Sequence, residues 1–278
     1  MIRIGFFLIF VIIPIIIATD SVVKFKKDQN SLYYFSLKRN AYNPNKNTSE
    51  ICSCNIELQK SSLYPSHLFA NLTIIDQIFH KINRPASTEQ EMRQLKAPFI
   101  IGLTEHGDVK SIVTEVDESY RSLEIKNQVV QTLLLNKTLY KSLIDGNEND
   151  LTIEVDLSKQ LPMGLCNASV HIDRTDTEYK VRIFVSADMC WELVVGNVRL
   201  TNNSKYEVVT TFDKNGLTLK ELKENTLIEI EITTDGRRAH STYEFYLKFK
   251  DFVPKKNYNM DQITEEHNEK ELDKIILY

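Results

Sequence analysis

The sequence predicts a mainly β protein, an antiparallel β-barrel wrapped around a central α-helix. Three observations carry this. Apolar and polar residues alternate with period two along much of the chain, as in Leu151, Ile153, Val155 and Leu157 against Thr152, Glu154 and Asp156. Turn chemistry punctuates the alternation, with Asn215-Gly216 the strongest short hairpin signal and Asp235-Gly236 a second. Between His106 and Asn136 the period changes: after a short strand and a polar break, Ile125, Val129, Val130, Leu133 and Leu134 recur at helical spacing. A curled sheet needs an apolar body to close on, and this stripe supplies one. Ser122 is the expected helix cap, with Glu124 near the positive end of the dipole.

The chain opens with Arg3, an apolar run from Ile4 to Ile17 broken by Gly5 and Pro14, and the small residue Ala18. This reads as a signal peptide over 1–18. The run is shorter than the ~20 residues of a membrane span, and no second span follows. A secreted, extracellular chain is expected, with no membrane span after cleavage. A single β-barrel domain over 19–254 and a polar tail over 255–278, flexible or a short helix, complete the expected organisation.

Elements follow in order. Ser31 to Leu37 is aromatic and β-prone, Arg39 to Glu50 a polar loop, and Ile51 to Leu58 a strand carrying Cys52 and Cys54 on one face. His67 to Ile82 suits strand or helix by period, and Thr73, Ile74 and Ile75 favour strand. Arg84 to Leu95 reads as a loop. Strands Pro98–Leu103 and Val109–Val116 meet at a turn over 105–108, before the helix. A turn over 145–150 leads to the alternating strand Leu151–Leu157, ended by Pro162 and Gly164. A hairpin of Cys166–Arg174 and Tyr179–Val185 comes next. Tyr206–Phe212 and Leu217–Leu222 flank Asn215-Gly216. Ile228, Ile230 and Ile232 mark another strand, and Tyr243–Phe252 the last, with Phe245, Leu247 and Phe249 on one face.

The cysteines number 4, an even count in a secretory setting, which favours disulfides. Cys166 and Cys190 flank a hairpin that returns the chain to its start, so a bond between them is geometrically reasonable. The pairing of Cys52 and Cys54 stays open. Asn47, Asn71, Asn136, Asn167 and Asn202 each open an N-glycosylation triplet. Asn71 lies in a strand-like segment and is expected to be less accessible.

The chemistry tests are mostly exclusions. A net charge of −4 leaves no nucleic-acid footprint, and 8 glycines in 278 residues argue against phosphate-cradling loops. No Gly-x-Ser-x-Gly elbow, His-Glu-x-x-His pair, metal motif or cofactor motif is present. The six histidines are spread along the chain. Glu154, Glu229 and Glu231 alternate with apolar residues and read as solvated outer-face groups, although carboxylates meeting across strands would leave no motif. Lys24, Lys26 and Lys27 form a small basic run, suited to solvated charge or to acidic partners and lipid head groups.

The order of elements resembles the N-terminal barrel of vitellogenins. The resemblance is carried by the Tyr-rich first strand and by Gly107-Asp108-Val109 leading into the helix. It continues through Glu154-Val155-Asp156, Gly164-Leu165-Cys166, the hairpin and Cys190. It spans roughly Ser31 to Phe252. The family, the large lipid transfer proteins, also includes apolipoprotein B-like chains and the microsomal triglyceride transfer protein. It implies a barrel around a central helix and a disulfide beside the hairpin. The family's helical superhelix and lipid-enclosing sheets have no counterpart in this sequence, so bulk lipid carriage is not implied. What the resemblance implies is a secreted, non-enzymatic module linked to lipid transport, binding a protein receptor or lipoprotein partner. A small lipid carrier, with an apolar cavity between helix and sheet, is the second expectation. A hydrolase with carboxylates assembled across strands is the third.

Overall fold

The computed structural model describes residues 23–271, except 27, 44–45, 62–65, 82–88, 105–108, 116–117, 134–136, 147, 158–164, 192–197, 233, 235 and 256–266. The signal peptide over 1–18, the turn over 105–108, Leu134 and Asn136 therefore lie outside the described residues.

β1 (Gln29–Asn43) and β2 (Lys46–Lys60) form a long antiparallel pair with Asn43 opposite Lys46. Polar composition had marked 39–50 as a loop, and the structure corrects this. β1 is hydrogen-bonded on its other side as well, so the ladder carries the polar residues. Their side chains pair laterally: Ser49 donates to Asn40 Oδ1 at 2.8 Å, and Asn40 Nδ2 donates to Thr242 Oγ1 at 3.2 Å. β3 (His67–Lys81) is a strand, as its β-branched residues favoured.

The expected loop before β4 contains a short helix, α1 (Glu89–Lys96). Glu89 and Glu91 lie at its start and Arg93 and Lys96 at its end, complementing its dipole, while Gln94 and Leu95 are buried. β4 (Phe99–Leu103) and β5 (Val109–Glu115) precede α2 (Tyr120–Leu133). The cap of α2 is Ser119 rather than Ser122: Ser119 Oγ accepts from the Ser122 N–H at 3.3 Å, and Ser119 O accepts from Leu123 at 3.1 Å. A further helix, α3 (Lys137–Asp145), follows; the sequence reading had not separated it.

The rest is strand: β6 (Asp150–Asp156), β7 (Leu165–Arg174), β8 (Glu178–Ser186), β9 (Val198–Leu200), β10 (Lys205–Asp213), β11 (Thr218–Ile232), β12 (Arg238–Pro254) and β13 (His267–Glu271). The turn between β10 and β11 uses Gly216 at φ 82°, where glycine's freedom is needed. The two short strands expected at 217–222 and 228–232 are one. In the stretch read as a tail, β13 pairs antiparallel with β5.

The strands form one antiparallel sheet in the order β13-β5-β4-β3-β2-β1-β12-β11-β10-β8-β7-β6, with β9 beside β11. The expected barrel is not closed: β13 and β6 are its two ends. β5 and β6 are sequence neighbours that closure would bring together. The chain between them is spent on α2 and α3, and β13 takes the free edge of β5.

One face of the sheet is covered by the helices. Lys126 of α2 lies over Phe99 of β4, Glu124 of α2 pairs with Arg39 of β1, and Tyr140 of α3 packs on Phe212 of β10. Phe35, Cys52, Cys54, Ile56 and Leu247 on this face join Ile125, Val129, Val130 and Leu133 in one apolar cluster. Removing such area from water is worth about 25 cal/mol per Å² and holds helix to sheet.

Candidate functional site

Side chains that could do more than pack gather in the helix–sheet interior and on the outer face of the β6–β8 edge.

Among the described residues, two polar places in the interior hold ionisable side chains with defined partners. The first lies where α1 meets α2. Lys126 and Glu118 are both fully buried and form an ion pair of 2.7 Å. Lys126 Nζ also donates to Gln94 O at 2.9 Å and sits 5.1 Å from the Phe99 ring centre. Ser122 donates its hydroxyl to the same Glu118 oxygen, and the Ser119 N–H donates to Gln94 Oε1 at 3.1 Å. The network ties α1 to the start of α2. Its sequence signal was a charge on the apolar face, since Lys126, Val129, Val130 and Leu133 share helical spacing.

The second lies under α3. Glu224 of β11 stands opposite Val208 of β10 and Phe245 of β12. Burial pushes its carboxyl up to about 7, against the smaller opposing effect of a hydrogen bond from Thr226. Tyr140 and Thr210 share a hydrogen bond of 3.2 Å nearby. Burial, and then the charge on Glu224, raise the Tyr206 phenol well above its usual range. Splitting β11 into two short strands hid Glu224. Carried through one continuous strand, the inward parity of Leu222 and Ile228 places Glu224 inside.

A carboxylate whose folded value lies above its ordinary one makes the protein less stable as pH rises from about 4.5 to about 7. Glu224→Gln is therefore expected to leave the urea midpoint unchanged at pH 4. At pH 8 it should raise stability by roughly 2 kcal/mol, allowing for partial exposure. Equal midpoints for the two proteins at pH 8 would refute a buried, neutral-leaning carboxyl.

The outer face of β6, β7 and β8 carries a groove of about 430 Å³ whose lining includes Thr152, Ser169, His171, Arg182 and Phe184. His171 Nδ1 lies 2.6 Å from Asp150 and its Nε2 3.1 Å from Asp173. Those hydrogen bonds raise the imidazole above its usual value, Asp150 contributing most. Arg182 donates to Glu207 at 2.6 Å. His171 is a surface residue bracketed by two carboxylates.

The disulfide joins Cys166 and Cys190, 24 residues apart, as the hairpin geometry suggested. Opening it is expected to cost about 3 kcal/mol in the chain-entropy model. Cys166→Ser should leave Cys190 open to alkylation, and a blocked Cys190 would mean a different pairing. Cys52 and Cys54 face the core from β2 as thiols. Burial, and then the neighbouring Cys52, push the Cys54 thiol well up, so it is a poor nucleophile at neutral pH.

The other marked residues are dispersed. Asn47, Asn167 and Asn202 are exposed and Asn71 is half-buried. Glu154 is exposed, while Glu229 and Glu231 lie 3.6 Å and 3.9 Å from Arg238, the first residue of β12, as charge partners. No group of three His, Cys, Asp or Glu side chains among the described residues is placed to hold a metal ion. No helix among them is long and apolar enough to cross a membrane.

These features define a class: a large open antiparallel sheet with helices packed on one face and a disulfide beside an edge hairpin. A solved structure of lipovitellin, described for its lipid–protein interactions, is similar to this chain. The TM-score is 0.59 and the sequence identity 11%, covering 85% of this chain and 26% of that chain. The chain thus spans about a quarter of the lipovitellin chain it matches, 26%. At 11% identity the likeness is one of fold. No family model and no curated protein matches the sequence.

Proposed function

We propose that this chain is a secreted, glycosylated, non-enzymatic module of lipid transport that binds a receptor or lipoprotein partner through its outer surface. The observation carrying this reading is the complete burial of the apolar stripe of α2. Val129, Val130 and Leu133 of α2 are fully buried in the same apolar cluster as the inner sheet residues. An interior packed in this way favours a contact module over a small carrier with a cavity between helix and sheet. The fold likeness to lipovitellin supports a link to lipid transport. Exposed Asn47, Asn167 and Asn202 are accessible to glycan addition.

The secreted protein is tested in two measurements: organic extraction for bound lipid, and binding to immobilised lipoprotein particles. Saturable particle binding by lipid-free protein is the expected result. Stoichiometric lipid in the purified chain, lost on Val129→Asp, would transfer the assignment to a lipid carrier. Turnover abolished by replacing a single glutamate would transfer it to a hydrolase.

A further inference from the structure

Near the start of the chain Lys24 and Lys26 take different partners, and Lys26 joins lysines from distant strands. Lys24 is held by Asp213 at 3.1 Å and lies 5.2 Å from the Phe249 ring centre. Lys26 goes elsewhere. The chain turns before β1, with the Gln29 N–H donating to Lys26 O at 3.3 Å and Asp28 in the left-handed region at φ 59°. Aspartate tolerates that region better than most side chains. The turn brings Lys26 beside the end of β2 and beside Lys255, just past β12.

The result is a pocket of about 260 Å³ lined by Phe25, Lys26, Gln29, Gln59, Lys60 and Lys255, with Asp28 and Ser61 completing its wall. Its lining carries three lysines and one aspartate, a formal excess of two positive charges. Phe25, which packs on the core, is the apolar side of the pocket, and the Lys26 ammonium lies 5.7 Å from the Phe252 ring centre. Gln59 is only 8% exposed, and the Oε1 atoms of Gln29 and Gln59 are sealed from solvent without a hydrogen-bond partner. A buried amide oxygen left so costs free energy, which a ligand that draws the amide into the pocket would recover.

We propose that this pocket binds a phosphate monoester. A dianion matches the excess charge, and lysine ammonium groups bind phosphate as point charges. The pocket takes the phosphate with a small substituent against Phe25. The monoester is either a free small molecule or the headgroup of a phospholipid such as phosphatidic acid. This goes beyond the partner-binding reading and stands apart from it, since capture of lipoprotein particles is measured without these lysine variants.

The test uses the full secreted chain. Glycerol 3-phosphate is titrated calorimetrically, and flotation is measured with phosphatidylcholine vesicles with and without phosphatidic acid. Lys60→Gln combined with Lys255→Gln is compared with Lys248→Gln, an equal charge loss per site on an exposed strand position. Lys26→Gln is a further variant, and a thermal transition checks that each remains folded. The double variant and Lys26→Gln are expected to bind about tenfold or more weakly, with Lys248→Gln within about twofold of wild type. Binding of glycerol 3-phosphate alone identifies a soluble monoester as the source. Binding only to phosphatidic acid vesicles identifies the lipid headgroup. The proposal is overturned if neither probe binds, if the double variant binds like wild type, or if Lys248→Gln loses as much.

Discussion

Lys126→Met is expected to destabilise the protein by about 3–5 kcal/mol, because it leaves the Glu118 carboxylate buried without its cation. Both side chains have 0% exposure, so water cannot take over the role of the ammonium. The loss also removes the donor to Gln94 O, and with it the tie between α1 and α2. In a chain of this size the melting temperature should fall by roughly 10 °C. The double variant Lys126→Met with Glu118→Gln should recover much of the loss, since no net charge is then left in the interior. The measurement is urea unfolding of the four proteins as a double-mutant cycle. A single-variant cost below about 1 kcal/mol is the value of an exposed pair and would place this one in water.

The second large effect is at Val130. It has 0% exposure on the buried face of α2, beside Val129 and Leu133. Val130→Ala removes packing and is expected to cost about 2 kcal/mol, if the surrounding residues collapse only partly. Val130→Asp also buries a carboxyl among apolar side chains, one helical turn from a Lys126 whose ammonium is already held by Glu118. Its penalty is several kcal/mol, comparable with the whole stability of a domain. Val130→Asp should therefore abolish the yield of folded protein while Val130→Ala reduces the melting temperature. A normal yield of Val130→Asp with an unchanged melting temperature would show that this face of α2 is not core.

The parts of the fold readable from sequence are those governed by local chemistry. Cys166, Ala168, Val170 and Ile172 alternate with exposed Asn167, Ser169, His171 and Asp173, because a strand buried on one side must sort its residues by parity. The Asn215-Gly216 turn and the helical stripe from Ile125 to Leu133 are of the same kind. Misreadings arose where polar residues sit in structure for tertiary reasons. The segments 39–43 and 46–50 lack apolar alternation, yet they are strand because β12 and β2 flank the first and β1 and β3 the second, completing their backbone hydrogen bonds. The end of the chain is polar, yet part of it pairs with β5.

The candidate sites divide in the same way. The Cys166–Cys190 bond was suggested by a hairpin that returns to its start. The phosphate-type pocket was not legible, because Lys26, Lys60 and Lys255 come together only when β1 is flanked by β2 and β12. Glu118 with Lys126, and Glu224, needed knowledge of which face is covered.

By itself, then, the sequence determined a mainly antiparallel β protein, its helix with one apolar stripe, and the hairpin that sets the disulfide. Each depends on residues within a few positions of one another. Only the tertiary structure decided that the sheet stays open, which charges are buried, and which lysines meet. Those outcomes depend on the pairing of strands far apart in the chain, where the choice lies in the energy of the assembled sheet and no short stretch records it.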